Sequence, residues 1–206
     1  MQSRIVTQIE EYDKKRCRIY LDEEFAFLLY KGELSEYKLT KGNVIEEEIY
    51  QKILKEILPK RAKKRCLNLL QKKNYTEYKL REKLKEGMYS IEIENEAIAY
   101  VKSFHYIDDY RYACDYIFYH KEDLSSKKIE EKLRLKGISE EILQRAIQDS
   151  YDIDEEEKAE LSLAYKLLKK KHYNQESMDW KEKQKIYAYL LRKGIQNSTI
   201  KKAMNV

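Results

Sequence analysis

The chain is poor in the residues that interrupt regular structure, with one proline and five glycines among 206 residues. Its three cysteines lie about 50 residues apart without any Cys-x-x-Cys spacing, which argues against a disulfide framework or a zinc ribbon. No apolar run approaches the roughly 20 residues that span a bilayer, and the N-terminal residues do not form an apolar signal segment. We therefore expect reduced thiols and a cytoplasmic protein that does not contact membranes.

Motifs for catalysis and cofactor binding are missing as well. The sequence has no glycine-rich phosphate loop, no nucleophile elbow and no His-Glu-x-x-His motif. Its three histidines share no metal-ligand spacing with each other or with the cysteines. The pair Asp108-Asp109 could serve acid–base or metal chemistry, but Asp before a helix is typically an N-cap, and we interpret it so. The sequence thus predicts a protein without a cofactor, a bound metal or enzymatic activity.

What the sequence does contain is a repeat of helical patterns. Three times, two apolar residues four positions apart lead into a glycine and a further apolar residue, and another short helical pattern follows. The copies are Leu80-Leu84-Gly87-Met88, Ile129-Leu133-Gly137-Ile138 and Ile186-Leu190-Gly194-Ile195. One such unit cannot bury its apolar face alone, so the units are expected to stack. Because Gly87 follows its apolar residue one position sooner than the other two glycines, we interpret the first copy as one residue short.

These patterns predict a mostly α protein of tandem three-helix repeats in an elongated curved array, preceded by a small β-hairpin or strand extension. The hairpin is expected at Arg16–Leu21 and Phe25–Leu28, with residues 5–9 as a third strand and a short helix around residues 34–39. The predicted domains are the extension with its helix at 1–58 and the three repeats at 59–107, 108–152 and 153–206.

Residues that begin and end helices punctuate each repeat. Each repeat glycine is expected to be left-handed just past a helix end, where a Cβ would clash. Pro59 is expected either to interrupt a helix or to start the next one at Lys60. The predicted N-caps are Thr76, Ser90, either Ser125 or Ser126, and Ser139.

Positive charge is unevenly distributed along the chain. The segments 1–56, 57–106, 107–152 and 153–206 carry net charges of −2, +6, −3 and +4. Two basic clusters are candidate nucleic-acid or filament-binding sites, although basic clusters of this kind also occur as solvated helix faces. The first cluster contains Lys60, Arg61, Lys64, Arg65, Lys72 and Lys73, and the second contains Lys181, Lys185, Arg192 and Lys193.

Three segments resemble motifs of one known family. The segment Phe104–Ala113, read FHYIDDYRYA, is similar to the "GYIDD-x-RFA" hallmark of the RecX family, with His105 where that family usually has glycine. Asn74–Leu84 resembles the signature of its first repeat, and Lys183–Ile195 that of its third. The resemblance implies a regulator of the RecA recombinase in DNA repair, recombination and the SOS response. It also implies binding in the groove of the RecA–DNA filament, lowered recombinase and ATPase activity, and some affinity for DNA.

Other functions remain open from the sequence. The favoured partners are the RecA filament and single- or double-stranded DNA, and we expect the protein to be a monomer. The alternative is a general DNA-binding or architectural helical repeat protein that needs no recombinase, and a further one is a helical scaffold for an unrelated protein. The acidic second repeat favours a mixed protein and DNA surface, because a pure DNA binder gains nothing from a segment of net charge −3.

Overall fold

The structure, a computed structural model, describes the backbone of residues 4–151 and 153–205 and the side chains of residues 4–151 and 156–205. Its contacts divide the chain into two compact units, Met1–Ile107 and Asp108–Val206. We call these unit 1 and unit 2 and describe each by itself. The predicted fold class, mostly helical repeats with a small N-terminal set of antiparallel strands, is confirmed. The curved array and the four-part division into domains stay predictions.

Unit 1 begins with a four-stranded antiparallel sheet in the order β3-β2-β1-β4. The strands are β1 Arg4–Glu11, β2 Arg16–Leu21, β3 Glu24–Tyr30 and β4 Val44–Ile45. In β2 the side chains of Cys17, Ile19 and Leu21 are buried, as the alternating pattern requires. The predicted hairpin and third strand are therefore present. The two-residue strand β4, which pairs with the start of β1, was not expected.

In its described residues unit 1 has five α-helices, of which the first lies between β3 and β4 and the others follow β4. They are α1 Lys31–Glu36, α2 Glu47–Lys52, α3 Leu58–Leu70, α4 Glu77–Lys85 and α5 Ile91–Ser103. The short helix thus lies slightly before the predicted 34–39. A π-helical turn, Ile53–Ile57, joins α2 to α3, and the N–H of Leu58 donates to the carbonyl of Ile53. The wider turn absorbs the disruption by Pro59, which has no N–H and would crowd the carbonyl four residues before it. The chain therefore stays helical through Pro59, which lies in the first turn of α3, and α3 begins at Leu58 and not at Lys60.

The sheet and the first helical repeat of unit 1 share one hydrophobic core. Phe27 and Leu29 of the sheet belong to the same buried cluster as Ala62 and Cys66 of α3 and Leu84 of α4. Each of these five side chains is almost completely inaccessible to water. Truncating a fully buried leucine such as Leu84 to alanine typically costs about 2–5 kcal/mol. The position of α3 on the sheet is consequently set by apolar packing.

Unit 2 contains the other two repeats. Its helices are α6 Asp109–His120, α7 Ser126–Leu135, α8 Glu140–Ser150, α9 Ile153–Lys170, α10 Trp180–Arg192 and α11 Asn197–Met204. One apolar cluster lies among α6, α7 and α8, and a second lies among α9, α10 and α11. Together with α3, α4 and α5 of unit 1, these six helices make up the nine repeat helices that the sequence predicts. Among the described residues, no helix combines the length and the apolar composition needed to cross a membrane.

The turn after the middle helix of each repeat corrects the sequence interpretation. The left-handed residue lies four positions after the last buried leucine in all three repeats: it is Met88 with φ 56°, Gly137 with φ 80° and Gly194 with φ 82°. The first repeat is therefore not one residue short, and Gly87 is not its left-handed residue. Instead, the missing side chain at Gly87 leaves room for the Tyr89 ring, because a Cβ there would lie 2.5 Å from Cε2 of that ring.

The predicted N-caps are confirmed, and one cap comes from another helix. The hydroxyls of Thr76, Ser90 and Ser139 each accept a hydrogen bond from the backbone N–H three residues later. Ser125 rather than Ser126 caps α7, and its hydroxyl also donates to the carbonyl of Lys193 over 2.9 Å. At α11, Gln196 supplies no side-chain cap.

Glu160 of α9 performs that role for α11. Its carboxylate accepts from the N–H of Gln196 over 3.2 Å and from the hydroxyl of Thr199 over 2.6 Å. Glu160 is buried, and its position near the N-terminus of α11 also complements the helix dipole. The third repeat therefore holds its last helix through a contact between helices, whereas the first two use a local serine.

Candidate nucleic-acid interface

Unit 1 contains a basic cleft of about 580 Å³ between the sheet, α1, α3 and the loop from α4 to α5. We define the basic cleft by the six cationic side chains that line it: Arg16, Lys60, Arg61, Lys64, Arg65 and Lys72. Among the described residues that line the cleft, Glu33 is the only acidic one. The lining thus carries more cationic than acidic side chains, which favours an anionic ligand.

One face of α3 lines the basic cleft. The lining residues from Ile57 to Lys72 recur at intervals of three and four, while Ala62 and Cys66 point into the core. Burial raises the pKa of the Cys66 thiol to about 11, so this cysteine stays a neutral apolar side chain. The basic and apolar stripes of α3 thus lie on opposite sides, as the sequence predicts.

Arg61 is held by the fold. Its guanidinium forms an ion pair with Glu33 of α1, donates to the carbonyl of Leu28 over 3.0 Å and lies 4.7 Å from the centre of the Tyr30 ring. Only 18% of the side chain is exposed. Both terminal nitrogens donate to partners from the sheet and α1, and the Tyr30 ring covers one face of the guanidinium, so Arg61 links α3 to the N-terminal part of unit 1.

Arg65 is also engaged, though less deeply. Its Nε donates to the carbonyl of Lys83 over 3.1 Å, and its Nη2 lies 3.7 Å from a carboxylate oxygen of Glu86. Both partners belong to the last turn of α4 and the residue after it. Arg65 therefore contacts carbonyl and carboxylate oxygens at the C-terminal end of that helix, a favourable place for a cation.

The lysines of the first cluster behave differently. Lys60, Lys64 and Lys72 are exposed, and none pairs with a carboxylate among the residues that the structure describes. Lys73 does not line the cleft, and its ammonium lies 4.8 Å from the centre of the Tyr75 ring. Three amines at the cleft thus remain available to phosphates.

Nine lining residues lie outside the cluster predicted from the sequence, and four of them are Arg16, Tyr30, Asn68 and Tyr89. Arg16 comes from β2 and pairs with Asp13 over 2.7 Å. Burial raises the pKa of the Tyr89 phenol, while Arg61 and Arg65 act in the opposite direction. Asn68 follows Lys64 by four residues, as Lys64 follows Lys60, so helical spacing could have predicted that it lies on the same face. The other three come from distant parts of the chain.

The second cluster lies on α10 in unit 2. Lys181, Lys185 and Arg192 are exposed, opposite the buried Ile186 and Leu190, and no carboxylate pairs with them within the described range. We call these three residues the α10 stripe.

Lys193 lies next to the α10 stripe in sequence but has a ring partner. Its ammonium is 5.7 Å from the centre of the Tyr189 ring, and that of Lys171 is 4.8 Å from the same ring. Cation–π contacts of this kind contribute about 0.5–1 kcal/mol at exposed sites. Lys193 therefore differs from the stripe residues in having a local role.

In the segment 104–113, which resembles the family hallmark, the structure explains Asp108 and describes the backbone of His105. Asp108 accepts from the N–H of Arg111 over 2.9 Å and caps α6, as we interpreted it. His105 has φ 54°, in the left-handed region that favours glycine. Within the described residues, no three His, Cys, Asp or Glu side chains are grouped closely enough to hold a metal ion.

Comparison with known proteins identifies relatives over nearly the full length of the chain. The protein named regulatory protein RecX from Clostridium acetobutylicum is 30% identical over 203 residues, which cover 97% of this chain and 94% of that protein. The chain belongs to the RecX family. The namesake from Clostridium perfringens strain 13 is 29% identical and covers 96% of this chain and 94% of its own length. The left-handed His105 stands at the position of the glycine in the family hallmark to which residues 104–113 are similar.

One family model and two solved structures of RecX agree with the repeat architecture. The model described as "RecX, third three-helix domain" matches residues 158–204, which span α10, α11 and most of α9. A crystal structure of a regulatory protein RecX matches with a TM-score of 0.64 and 25% identity, over 98% of this chain and all of that one. RecX from Lactobacillus salivarius matches in fold with a TM-score of 0.60 and 22% identity, over 72% of this chain and 96% of its own.

Proposed function

We propose that this protein binds the RecA–DNA filament, lowers its recombinase and ATPase activity, and contacts DNA through the basic cleft and the α10 stripe. Membership of the RecX family supports the regulatory role, because the relatives bear the name regulatory protein. The observation that carries the DNA contact is the group of exposed amines of Lys60, Lys64 and Lys72 at the basic cleft. The protein acts by binding and not by catalysis.

The distribution of charge supports a partner that is part protein and part nucleic acid. Residues 57–106 and 153–206 carry net charges of +6 and +4, whereas residues 107–152 carry −3. Phosphates attract the basic parts and repel the acidic one, so uniform wrapping by DNA is disfavoured. A filament that exposes both protein and DNA accommodates the alternation.

The DNA contact is tested by reversing the charge of two exposed lysines that line the cleft, Lys60 and Lys64. The double variant Lys60→Glu/Lys64→Glu is compared with Lys41→Glu/Lys52→Glu, which makes the same change in net charge at exposed lysines outside the cleft. Binding to single-stranded DNA is measured by fluorescence anisotropy across a range of salt. Each phosphate contact contributes about −0.7 to the slope of log affinity against log salt. We expect the first variant to lose about 1.4 of this slope and the second to lose little.

The contact with the filament needs a different measurement. ATP hydrolysis and strand exchange by RecA of the same species are followed with this protein added below one copy per RecA protomer. Excess free single-stranded DNA is then added to the preformed filaments. A filament binder keeps its inhibition, whereas a general DNA-binding protein loses it, since free DNA competes for the protein. Loss of inhibition would favour the architectural alternative.

A further inference from the structure

A group of three aromatic rings lies on the surface of unit 1 at the end of α5. The centres of the Tyr100 and Phe104 rings are 5.0 Å apart, and those of Phe104 and Tyr106 are 5.8 Å apart with planes inclined by only 19°. Phe104 and Tyr106 are each 54% exposed. Two neighbouring, nearly parallel rings that keep half their surface in water offer π-faces to a ligand.

The backbone holds the two exposed rings in place. His105 between them is left-handed, with φ 54°. The N–H of His105 donates to the carbonyl of Lys102 over 2.9 Å, and the N–H of Tyr106 donates to the carbonyl of Val101 over 2.9 Å. These two bonds fold the chain back over the end of α5 and bring Tyr106 onto Phe104. The ring pair is consequently arranged before any ligand arrives, which lowers the entropic cost of binding.

The rings are connected to the basic face of α3. The ammonium of Lys63 lies 5.3 Å from the centre of the Tyr100 ring and pairs with Glu96 over 2.7 Å. Lys63 and Tyr100 also line a second hollow, of about 360 Å³, on this side of α3. Lys60 and Lys64 line both this hollow and the basic cleft. Lys60 and Lys64 therefore border both the cleft and the hollow that Tyr100 lines, together with Glu56 and Glu96.

We propose that Phe104 and Tyr106 form a base-stacking platform that gives this protein a preference for single-stranded over double-stranded nucleic acid. The proposal rests on the proposed DNA contact at Lys60 and Lys64, because those amines hold the backbone whose bases reach the rings. Exposed aromatic rings beside cationic side chains are the usual means of binding single strands without regard to sequence. Bases in a duplex are already stacked and paired and cannot cover a ring.

The chain offers a matched control for the ring pair. Phe118 and Tyr119 in unit 2 are also a phenylalanine and a tyrosine, and they are 67% and 75% exposed. Their rings are 5.4 Å apart but inclined by 80°, so they meet edge to face. The double variant Phe118→Ala/Tyr119→Ala removes the same atoms from the surface without removing a stacked pair.

The test measures binding of the full chain to a labelled oligothymidylate and to a duplex of the same length by fluorescence anisotropy. We expect Phe104→Ala/Tyr106→Ala to raise the Kd for the single strand at least about tenfold and to change the Kd for the duplex less than about twofold. The salt slope stays as in the unchanged protein, since stacking releases no counterions. The variant Phe104→Leu/Tyr106→Leu keeps apolar side chains but has no rings. Its affinity for the single strand should fall as much as that of the alanine variant. Circular dichroism checks that each variant is folded.

Each failure has a distinct meaning. Equal losses from the ring pair and from Phe118/Tyr119, or full affinity in the leucine variant, would overturn the platform. So would weaker inhibition of RecA with unchanged single-strand affinity, because the rings would then contact protein. The proposed DNA contact survives all three outcomes as long as Lys60→Glu/Lys64→Glu still reduces the salt slope. If the unchanged protein binds no nucleic acid, both proposals fail together.

Discussion

The basic faces of α3 and α10 look alike in sequence but are used differently by the fold. On α3, Arg61 and Arg65 are engaged with carbonyls and carboxylates of neighbouring elements, whereas Lys60 and Lys64 beside them are exposed and pair with no carboxylate among the described residues. On α10, the whole stripe of Lys181, Lys185 and Arg192 is exposed. The difference arises because α3 packs between a sheet and two helices, whereas the stripe on α10 has none of the described elements over it. Density of charge in a sequence therefore does not indicate which cations can reach a ligand.

The largest expected effect separates the two kinds of cation on α3. Arg61→Glu places a carboxylate against Glu33 and the Leu28 carbonyl, and we expect it to lower the free energy of unfolding by about 3 kcal/mol. Lys64→Glu, one turn away and exposed, should change it by less than about 0.5 kcal/mol. Urea denaturation followed by circular dichroism measures both. Similar losses would mean that the two residues are equally integrated in the fold.

The second prediction concerns the stripe on α10. Lys181→Glu/Lys185→Glu/Arg192→Glu should weaken inhibition of RecA at least about tenfold, equivalent to about 1.4 kcal/mol. The control is Lys169→Glu/Lys170→Glu/Lys201→Glu, an equal change of charge at exposed lysines of α9 and α11. Retained inhibition by a folded stripe variant would assign the stripe to the solvated surface. The thermal midpoints of the two variants show whether either has lost stability.

The third prediction compares the left-handed turns of unit 1 and unit 2. Met88→Gly removes a side chain from a left-handed position and should stabilise the protein by up to about 1 kcal/mol. Gly194→Ala should destabilise it by about 1–2 kcal/mol, since φ is 82° and the new Cβ would lie 2.5 Å from Oγ of Ser125. Chemical denaturation of both variants gives the two signs. A loss on Met88→Gly would show that the packing of Met88 outweighs its backbone conformation.

The smallest effect involves α7, the middle helix of the second repeat as α10 is of the third. Arg134 of α7 donates to Glu140 from Nε over 2.9 Å and from Nη2 over 3.0 Å. Arg134, followed by Gln144, lowers the pKa of the Glu140 carboxyl to about 2. The pair therefore stabilises the fold above the ordinary pKa near 4.5, and the contribution is lost as the pH falls towards 2.

A titration of the Glu140 carboxyl by NMR measures this shift. In Arg134→Ala the pKa should return most of the way to its ordinary value, because Gln144 alone remains as a donor. The variant's stability should then depend less on pH between about 4.5 and 2. An unchanged pKa would show that Arg134 is solvated like the residues of the α10 stripe.

Much of the fold could be predicted because it depends on local patterns. Apolar residues at helical spacing mark the nine repeat helices, and Thr76, Ser90 and Ser139 begin helices through bonds to an N–H three residues away. The hairpin follows from alternation in the same way. Even the left-handed turns are local, although glycine alone was a misleading guide to them, since Met88 takes this conformation in the first repeat.

Residue types and their spacing were sufficient to predict a basic face on α3 and an N-cap at Asp108, and to identify the family resemblance. Each of these features depends only on residues that are close together in the sequence. Only the tertiary structure decided which basic residues remain exposed. Arg61 meets partners 28 and 33 residues away, and Arg16 and Tyr89 come to the cleft from β2 and from the loop after α4. The cap that Glu160 provides for α11 spans 36 residues. Contacts over such separations depend on how helices pack against a sheet or against each other, and no periodicity within one segment encodes that packing.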